Sequence, residues 1–127
     1  MAEQEKTRYS DSELQEFKEL IERKLAEARE ELKDYQDQIL KKNSGSSDSD
    51  YKFNGLEDSS LLVEREYLSQ QASRQAKFIS HLEKALIRIE NKTYGICRET
   101  GKLISPERLR IVPHATLSIE AKKSQNG

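Results

Sequence analysis

The chain has no tryptophan, a single cysteine, two prolines and five glycines among its 127 residues. One cysteine excludes an intrachain disulfide and the paired-cysteine framework of small secreted domains. Hydrophobic residues make up only 34% against 35% charged, too little apolar material for a thick globular core but enough for a solvated helical pair with one apolar seam. No stretch approaches 18 consecutive apolar residues, so no membrane-spanning helix is expected. The start, Met1-Ala-Glu-Gln-Glu-Lys6, lacks the apolar run of a secretory signal, and a cytoplasmic location is expected. Neither sign of charge dominates: 22 Lys and Arg stand against 23 Asp and Glu. That balance lacks the basic field that dominates affinity for DNA, so contact with a protein partner is the expected mode of action.

What the chain does have is heptad spacing. Ser10-Asp-Ser-Glu13 reads as a helix start, Ser10 and Glu13 having capping-box spacing with Ser12 as an alternative cap. Leu14, Phe17, Ile21, Leu25, Ala28, Leu32, Tyr35 and Ile39 follow, and from Ile21 the steps alternate 4 and 3, an average of 3.5. The helix is expected to stop near Lys41-Lys42-Asn43, where two lysines suit the negative end of the helix dipole. Residues 44–55 are rich in Ser, Gly and Asp and read as a connection. A second helix is expected from Asn54 or Asp58, with Leu61, Leu68, Ala72, Ile79, Leu82, Leu86 and Ile89 at the same spacing. Gln75 is the polar residue in this seam, a type that usually fixes register at some cost in stability. Two such helices joined by a polar loop predict an antiparallel αα-hairpin, roughly 45 Å long at 1.5 Å per residue.

Tyr94-Gly95 is expected to break the second helix and open a compact module. Leu103-Ile104 and Leu109–Val112 read as strand-like runs separated by a turn at Ser105-Pro106, and a short final helix is expected from Thr116 to about Lys123. Within the module, positions 97, 100, 118 and 121 have the C-x2-C, gap of 17, C-x2-C spacing of a structural zinc site. They hold Cys97, Thr100, Ser118 and Ala121, whereas tetrahedral structural zinc takes four Cys or His ligands. The expectation is a zinc-finger frame without its metal, Cys97 packed as a small thiol and Ile96, Leu103, Ile104, Leu109, Ile111, Leu117 and Ile119 supplying the core. Glu99 and His114 lie nearby in sequence, but neither sits at a knuckle position.

This frame resembles the C-terminal module of the TraR/DksA family, bacterial regulators that bind RNA polymerase. Leu82–Glu90 followed by Thr93-Tyr-Gly-Ile-Cys97 is similar to the family's helix end and first knuckle, Thr100-Gly101 stands where the family has Cys-Gly, and Arg108-Leu109, Pro113 and 118–121 follow in register. The resemblance covers roughly residues 74–122. It implies a mainly α fold: a long antiparallel coiled-coil hairpin plus a small zinc-finger-like C-terminal module with a short final helix, the module expected to be metal-free because three of its four ligand positions are not filled by Cys or His. The expected divisions are a disordered segment 1–9, the hairpin 10–93 with tip loop 44–58, a degenerate finger of the TraR/DksA type 94–123, and a tail 124–127.

The resemblance also implies a function: a transcription regulator entering the polymerase's secondary channel, with acidic tip residues acting near the active site. Gapless counting from Cys97 puts the family's tip pattern on Asn54, Glu57 and Ser59, so Glu57 alone keeps the charge there, with Asp58, Asp50 and Asp48 close by. Glu57, Asp58 and Asp50 are the candidate tip residues, and Glu57 and Asp58 also suit a helix N-terminus. Some family members form a guanosine tetraphosphate (ppGpp) site with the polymerase rim, and Arg74, His81 and Lys122 fall at its places, His81 replacing a lysine. The same basic residues also read as a solvated face. A monomer without direct sequence-specific DNA contact is implied. No phosphate loop or nucleophile motif is present, and no enzymatic activity is expected. Two rival readings are a coiled-coil scaffold that dimerises through its seam and a zinc-dependent DNA-binding finger; the missing ligands and balanced charge disfavour the latter.

Overall fold

The computed structural model describes residues 7–44 and 54–126. The architecture is mainly α, with two long helices, α1 (Asp11–Ser44) and α2 (Asn54–Glu90), forming a hairpin, and two short ones, α3 (Pro106–Ile111) and α4 (Ile119–Asn126). The chain divides into two compact units. The base unit contains residues up to Leu25 and from Ser80 onward, and the arm unit is Ala26–Ile79.

Helix α1 opens with the capping box that its sequence predicts. The Ser10 backbone N–H donates to Glu13 Oε1 at 2.8 Å, and the Glu13 N–H donates to Ser10 Oγ at 3.2 Å. Tyr9 precedes the cap and Leu14 lies four residues beyond it, both buried, the positions of a hydrophobic staple. Tyr9 thus departs from the expected frayed segment 1–9. Its ring meets Phe17 edge-on at 5.5 Å, and its hydroxyl donates to the Ile104 carbonyl oxygen.

In the base unit, Leu14, Phe17, Ile21 and Leu25 of α1 and Leu82, Ala85 and Ile89 of α2 are buried. Leu86, expected in the seam, is only half-buried while its neighbour Ala85 is fully enclosed. In the arm, Ala28, Leu68 and Ile79 are buried, but Leu32, Tyr35 and Ile39 are half-buried. Gln75 Nε2 donates to the Ala28 carbonyl at 3.2 Å and to Glu31 Oε1 at 2.9 Å. The polar seam residue therefore ties α2 to α1 at one axial position, the register role expected of it.

Three boundaries differ from the sequence reading. Ser44 ends α1 and Asn54 begins α2, so the 54–58 part of the expected tip loop is helical; 45–53 lie outside the described residues. Helix α2 stops before Tyr94-Gly95: Thr93 N–H bonds the Arg88 carbonyl at 2.9 Å and Lys92 N–H bonds Ile89 at 3.0 Å, a Schellman pair. Lys92 takes the left-handed conformation this motif needs, at φ 65°. Leu109–Ile111, read as strand, belongs to α3. Ser105 caps that helix, its Oγ accepting from the Arg108 N–H, and Pro106 occupies the first turn, where its missing N–H costs nothing. A short apolar run does not by itself distinguish strand from helix, and here the Ser-Pro start decides.

Candidate functional site: the knuckle module of the base unit

The module after α2 is built around Tyr94, which is completely enclosed. Its ring packs against Phe17 of α1 at 5.3 Å, and its hydroxyl donates to the Pro113 carbonyl at 2.8 Å. Burial pushes the phenol well above its ordinary value, partly offset by the positive charge of Arg88. Gly95 follows at φ 79°, and a Cβ there would meet the Tyr9 ring at 2.5 Å. Only glycine allows both the backbone conformation and the closeness of the ring.

From Gly95 the chain makes a tight antiparallel loop. Ile96 and Leu103 form a bridge, Cys97 N–H bonds Lys102 O at 2.8 Å, and Ile104 N–H bonds Gly95 O at 2.7 Å. Gly101, at φ 73°, closes the turn with its N–H on Cys97 O at 2.8 Å. The rudimentary hairpin expected at this position is therefore one bridge long, and no strand is present among the described residues.

The four knuckle positions converge. Cys97 is buried, and its sulfur accepts the Ser118 N–H at 3.4 Å. Burial opposes a charge on this thiol, but hydrogen bonds from the Thr100 side chain and the Ser118, Thr100 and Glu99 backbones outweigh it, bringing the thiol down to about 6. Thr100 Oγ1 also accepts the Lys102 N–H at 3.2 Å. Ser118 Oγ accepts the Ala121 N–H at 3.1 Å and so caps α4, which starts at Ile119 rather than at Thr116. Ala121 contributes a buried methyl group.

This donor set does not fit a tetrahedral zinc ion. It offers one sulfur, two hydroxyls already engaged with backbone N–H groups, and an aliphatic carbon. Among the described residues no group of three His, Cys, Asp or Glu side chains could hold a metal ion. The hydrogen bonds bring together what zinc ligation would otherwise join, the first knuckle and the start of α4.

The aliphatic core expected for this module needs correction. Ile104 and Leu109 are fully enclosed, and Ile96, Leu103 and Leu117 are half-buried, but Ile111 is 79% exposed and Ile119 is 47% exposed. Both stand at helix ends, Ile111 closing α3 and Ile119 opening α4. Their places are taken by Tyr94, Pro113, Ala115 and Tyr9. The staple position beside the capping box was the signal that could have found Tyr9.

The basic residues are partly brought together. His81 on α2 is exposed, and its ring stacks on His114 at 5.3 Å with an interplanar angle of 8°. His114 and exposed Lys122 line a shallow cleft of about 190 Å³ with Arg108 and Thr116. Arg108 Nε donates to the Leu117 carbonyl at 2.9 Å, and Arg88 Nη2 reaches the His114 carbonyl at 3.4 Å. Burial, then His81, Arg88 and Arg108, hold the His114 imidazole below its ordinary pKa. Arg74 is an exposed residue of the arm unit. Of the candidate tip residues, Asp50 lies outside the described residues. Glu57 and Asp58 fall near the start of α2, their side chains outside what is described.

Comparison with known proteins agrees with this geometry. Residues 92–126 match the prokaryotic dksA/traR C4-type zinc finger family. Fifty residues are 48% identical to the RNA polymerase-binding transcription factor DksA of Caulobacter vibrioides, covering 39% of this chain and 35% of that protein. General stress protein 16O of Bacillus subtilis is 37% identical over 46 residues, 36% of this chain and 28% of that protein. The matched stretch thus spans about a third of the length of these curated relatives. The solved structure of transcription factor DksA2 from Pseudomonas aeruginosa superposes with a TM-score of 0.80 at 26% identity, covering 91% of this chain and 84% of that one. The finger is thus similar in sequence to the TraR/DksA family, and nearly the whole chain is similar in fold to a DksA-type transcription factor.

Proposed function

We propose that this protein is a transcription regulator that binds RNA polymerase through its secondary channel, the hairpin tip acting near the active site. The observation that carries the reading is the fold match over 91% of the chain to a DksA-type factor, joined to a C-terminal stretch 48% identical to an RNA polymerase-binding one. The base unit and its knuckle module dock at the channel rim. The arm inserts, and Glu57, Asp58 and Asp50 supply negative charge near the catalytic centre, shifting the stability of the open promoter complex. The protein acts in the cytoplasm, as a monomer, through protein contacts rather than sequence-specific DNA contacts, and it is not an enzyme.

Two finer points belong to this reading. The module folds without zinc, its knuckles held by the Cys97, Thr100 and Ser118 hydrogen bonds and by Tyr94 packing. Arg74 of the arm unit, and His81 and Lys122 of the base unit, are each candidate contacts for ppGpp at the polymerase rim, with Arg and Lys supplying charge-assisted bonds to phosphate. The cleft that joins His114, Arg108 and Lys122 supports a basic surface at the module.

The test is co-purification with core RNA polymerase from the same host, with zinc content read on the free protein and transcription measured in parallel. Glu57→Ala with Asp58→Ala is expected to leave polymerase binding within about twofold and to abolish the transcriptional effect. Loss of binding in that variant would overturn the division of labour between base and tip. One zinc per chain would overturn the metal-free knuckle.

A further inference from the structure

Ahead of α1, residues 7–9 run as an irregular segment in which Thr7 and Arg8 are exposed and Tyr9 is buried. Helix α1 does not need this segment in order to begin. Ser10 and Glu13 close its N-terminus with their own reciprocal bonds, and Asp11 ties its first turn to Lys92 Nζ at 2.7 Å. The Arg8 guanidinium bonds locally, to the Tyr9 carbonyl at 3.2 Å and to Asp11 at 3.4 Å, the latter an exposed pair of a kind that contributes little. The hold of this segment on the base unit therefore rests on Tyr9.

Tyr9 in turn holds one particular loop. Its ring lies against Gly95, and its hydroxyl donates to the Ile104 carbonyl. Gly95 and Ile104 are the two ends of the loop that carries Cys97 and Thr100, and they bond each other, the Ile104 N–H donating to Gly95 O at 2.7 Å. One side chain thus grips both ends of the loop at the point where it closes. Phe17 of α1 backs the grip, edge-on to Tyr9 at 5.5 Å and tilted against Tyr94 at 5.3 Å. Within the loop there is a single bridge, Ile96 to Leu103, and a hairpin that small is marginal by itself, so its closure leans on what holds the ends.

We infer that residues 7–9 are a strap and Tyr9 its latch: with the ring seated the knuckle loop is closed and Cys97 is sealed, and with the ring withdrawn the loop opens while the helical hairpin stays folded. Closure of the module is then set by the N-terminal segment as well as by the four knuckle positions. Release is a local event, because the α1 cap and the Asp11–Lys92 pair lie on the helix side of the junction between Tyr9 and Ser10 and remain in place. The inference does not depend on polymerase binding.

Cys97 reports the state of the loop, being the chain's one thiol and only 1% exposed. Its alkylation by iodoacetamide is timed in the unaltered chain, Tyr9→Ala, Tyr9→Phe and Leu25→Ala, each rate divided by that of the same chain unfolded in urea. Leu25 is buried further along α1 and controls for a general loss of stability. The expected result is a relative rate about a hundredfold faster in Tyr9→Ala and about tenfold faster in Tyr9→Phe, with Leu25→Ala within about threefold of the unaltered chain. Amide exchange in Tyr9→Ala should lose protection at Cys97, Gly101 and Ile104 and keep it through α1 and α2. An unchanged alkylation rate in Tyr9→Ala overturns the latch. So does equal acceleration in Leu25→Ala, or exchange that quickens across both long helices together with the loop, since either means that Tyr9 adds only to overall stability. Should Tyr9→Ala fail to fold, Tyr9→Phe decides alone: a faster rate supports the latch, and an unchanged one overturns it.

Discussion

The base and arm units are made from the same two helices, yet they are held together differently. The base encloses Tyr9, Phe17 and Tyr94 with Ile21, Leu82, Ile104 and Leu109, and its tyrosine hydroxyls bond backbone carbonyls far away in sequence. The arm has a thin seam in which Leu32, Tyr35 and Ile39 are only half-buried, and it fixes register with a polar group, Gln75. Local stability follows buried apolar contact, so the two units should differ in how readily they open. What differs is not helix propensity, since α1 and α2 run through both units, but whether a third layer of chain covers the hairpin.

The largest test of that contrast is a matched pair of truncations. Tyr94→Ala is expected to cost about 3–5 kcal/mol, because it leaves a cavity where three segments meet. Leu32→Ala is expected to cost about 1 kcal/mol, because its site is already open to water. Urea unfolding of both variants checks this, and equal costs would dissolve the distinction between the units.

A smaller effect sharpens the comparison inside the base. Tyr9→Phe removes only the hydroxyl that bonds Ile104 O, with the ring left on Gly95. The Ile104 carbonyl is then left without that donor in a buried site. A loss of about 1–2 kcal/mol is expected, read as a shift in the urea midpoint without a change in slope.

The smallest expected effect is a pH dependence confined to the base. The His114 imidazole is held below its ordinary value by burial first, then by His81, Arg88 and Arg108. A lowered folded pKa means that the unfolded chain binds the proton more readily. Stability is therefore complete above the unfolded value of about 6.5 and is lost as pH falls through the folded value. Melting at pH 7.5 and at pH 5 should show a drop that is reduced in His114→Asn. Amide exchange should place the loss in the base, with the arm unaffected.

The hairpin was legible because its signals are local and periodic. The Ser10–Glu13 box and Gln75 report on near neighbours and act as read, and the 3.5-residue spacing holds except at Leu86, where Ala85 is enclosed instead. The knuckle was legible as a frame, because positions 97, 100, 118 and 121 have the zinc-finger spacing although only one of the four carries sulfur. What holds the frame was not legible. Tyr9 and Tyr94 act on carbonyls 95 and 19 residues away, and no periodicity encodes such a pairing. Leu109–Ile111 misled because the run is shorter than one helical repeat can define, so its capping residue carried the only decisive information. Ile111 and Ile119 misled because hydrophobicity was taken as burial, whereas in short helices orientation decides which side chain is covered.

The bond between Tyr9 and Ile104 has a consequence for how the protein is made. It joins residues 95 apart in sequence, so the base cannot close until Ile104 has left the ribosome. Most of the arm's own contacts lie within residues 26–79 and are available well before that. During synthesis the thinly packed arm therefore pairs first, while Tyr9 and Phe17 wait uncovered for the module that will enclose them. The half of the molecule that is more secure when finished is the half that stays exposed longest.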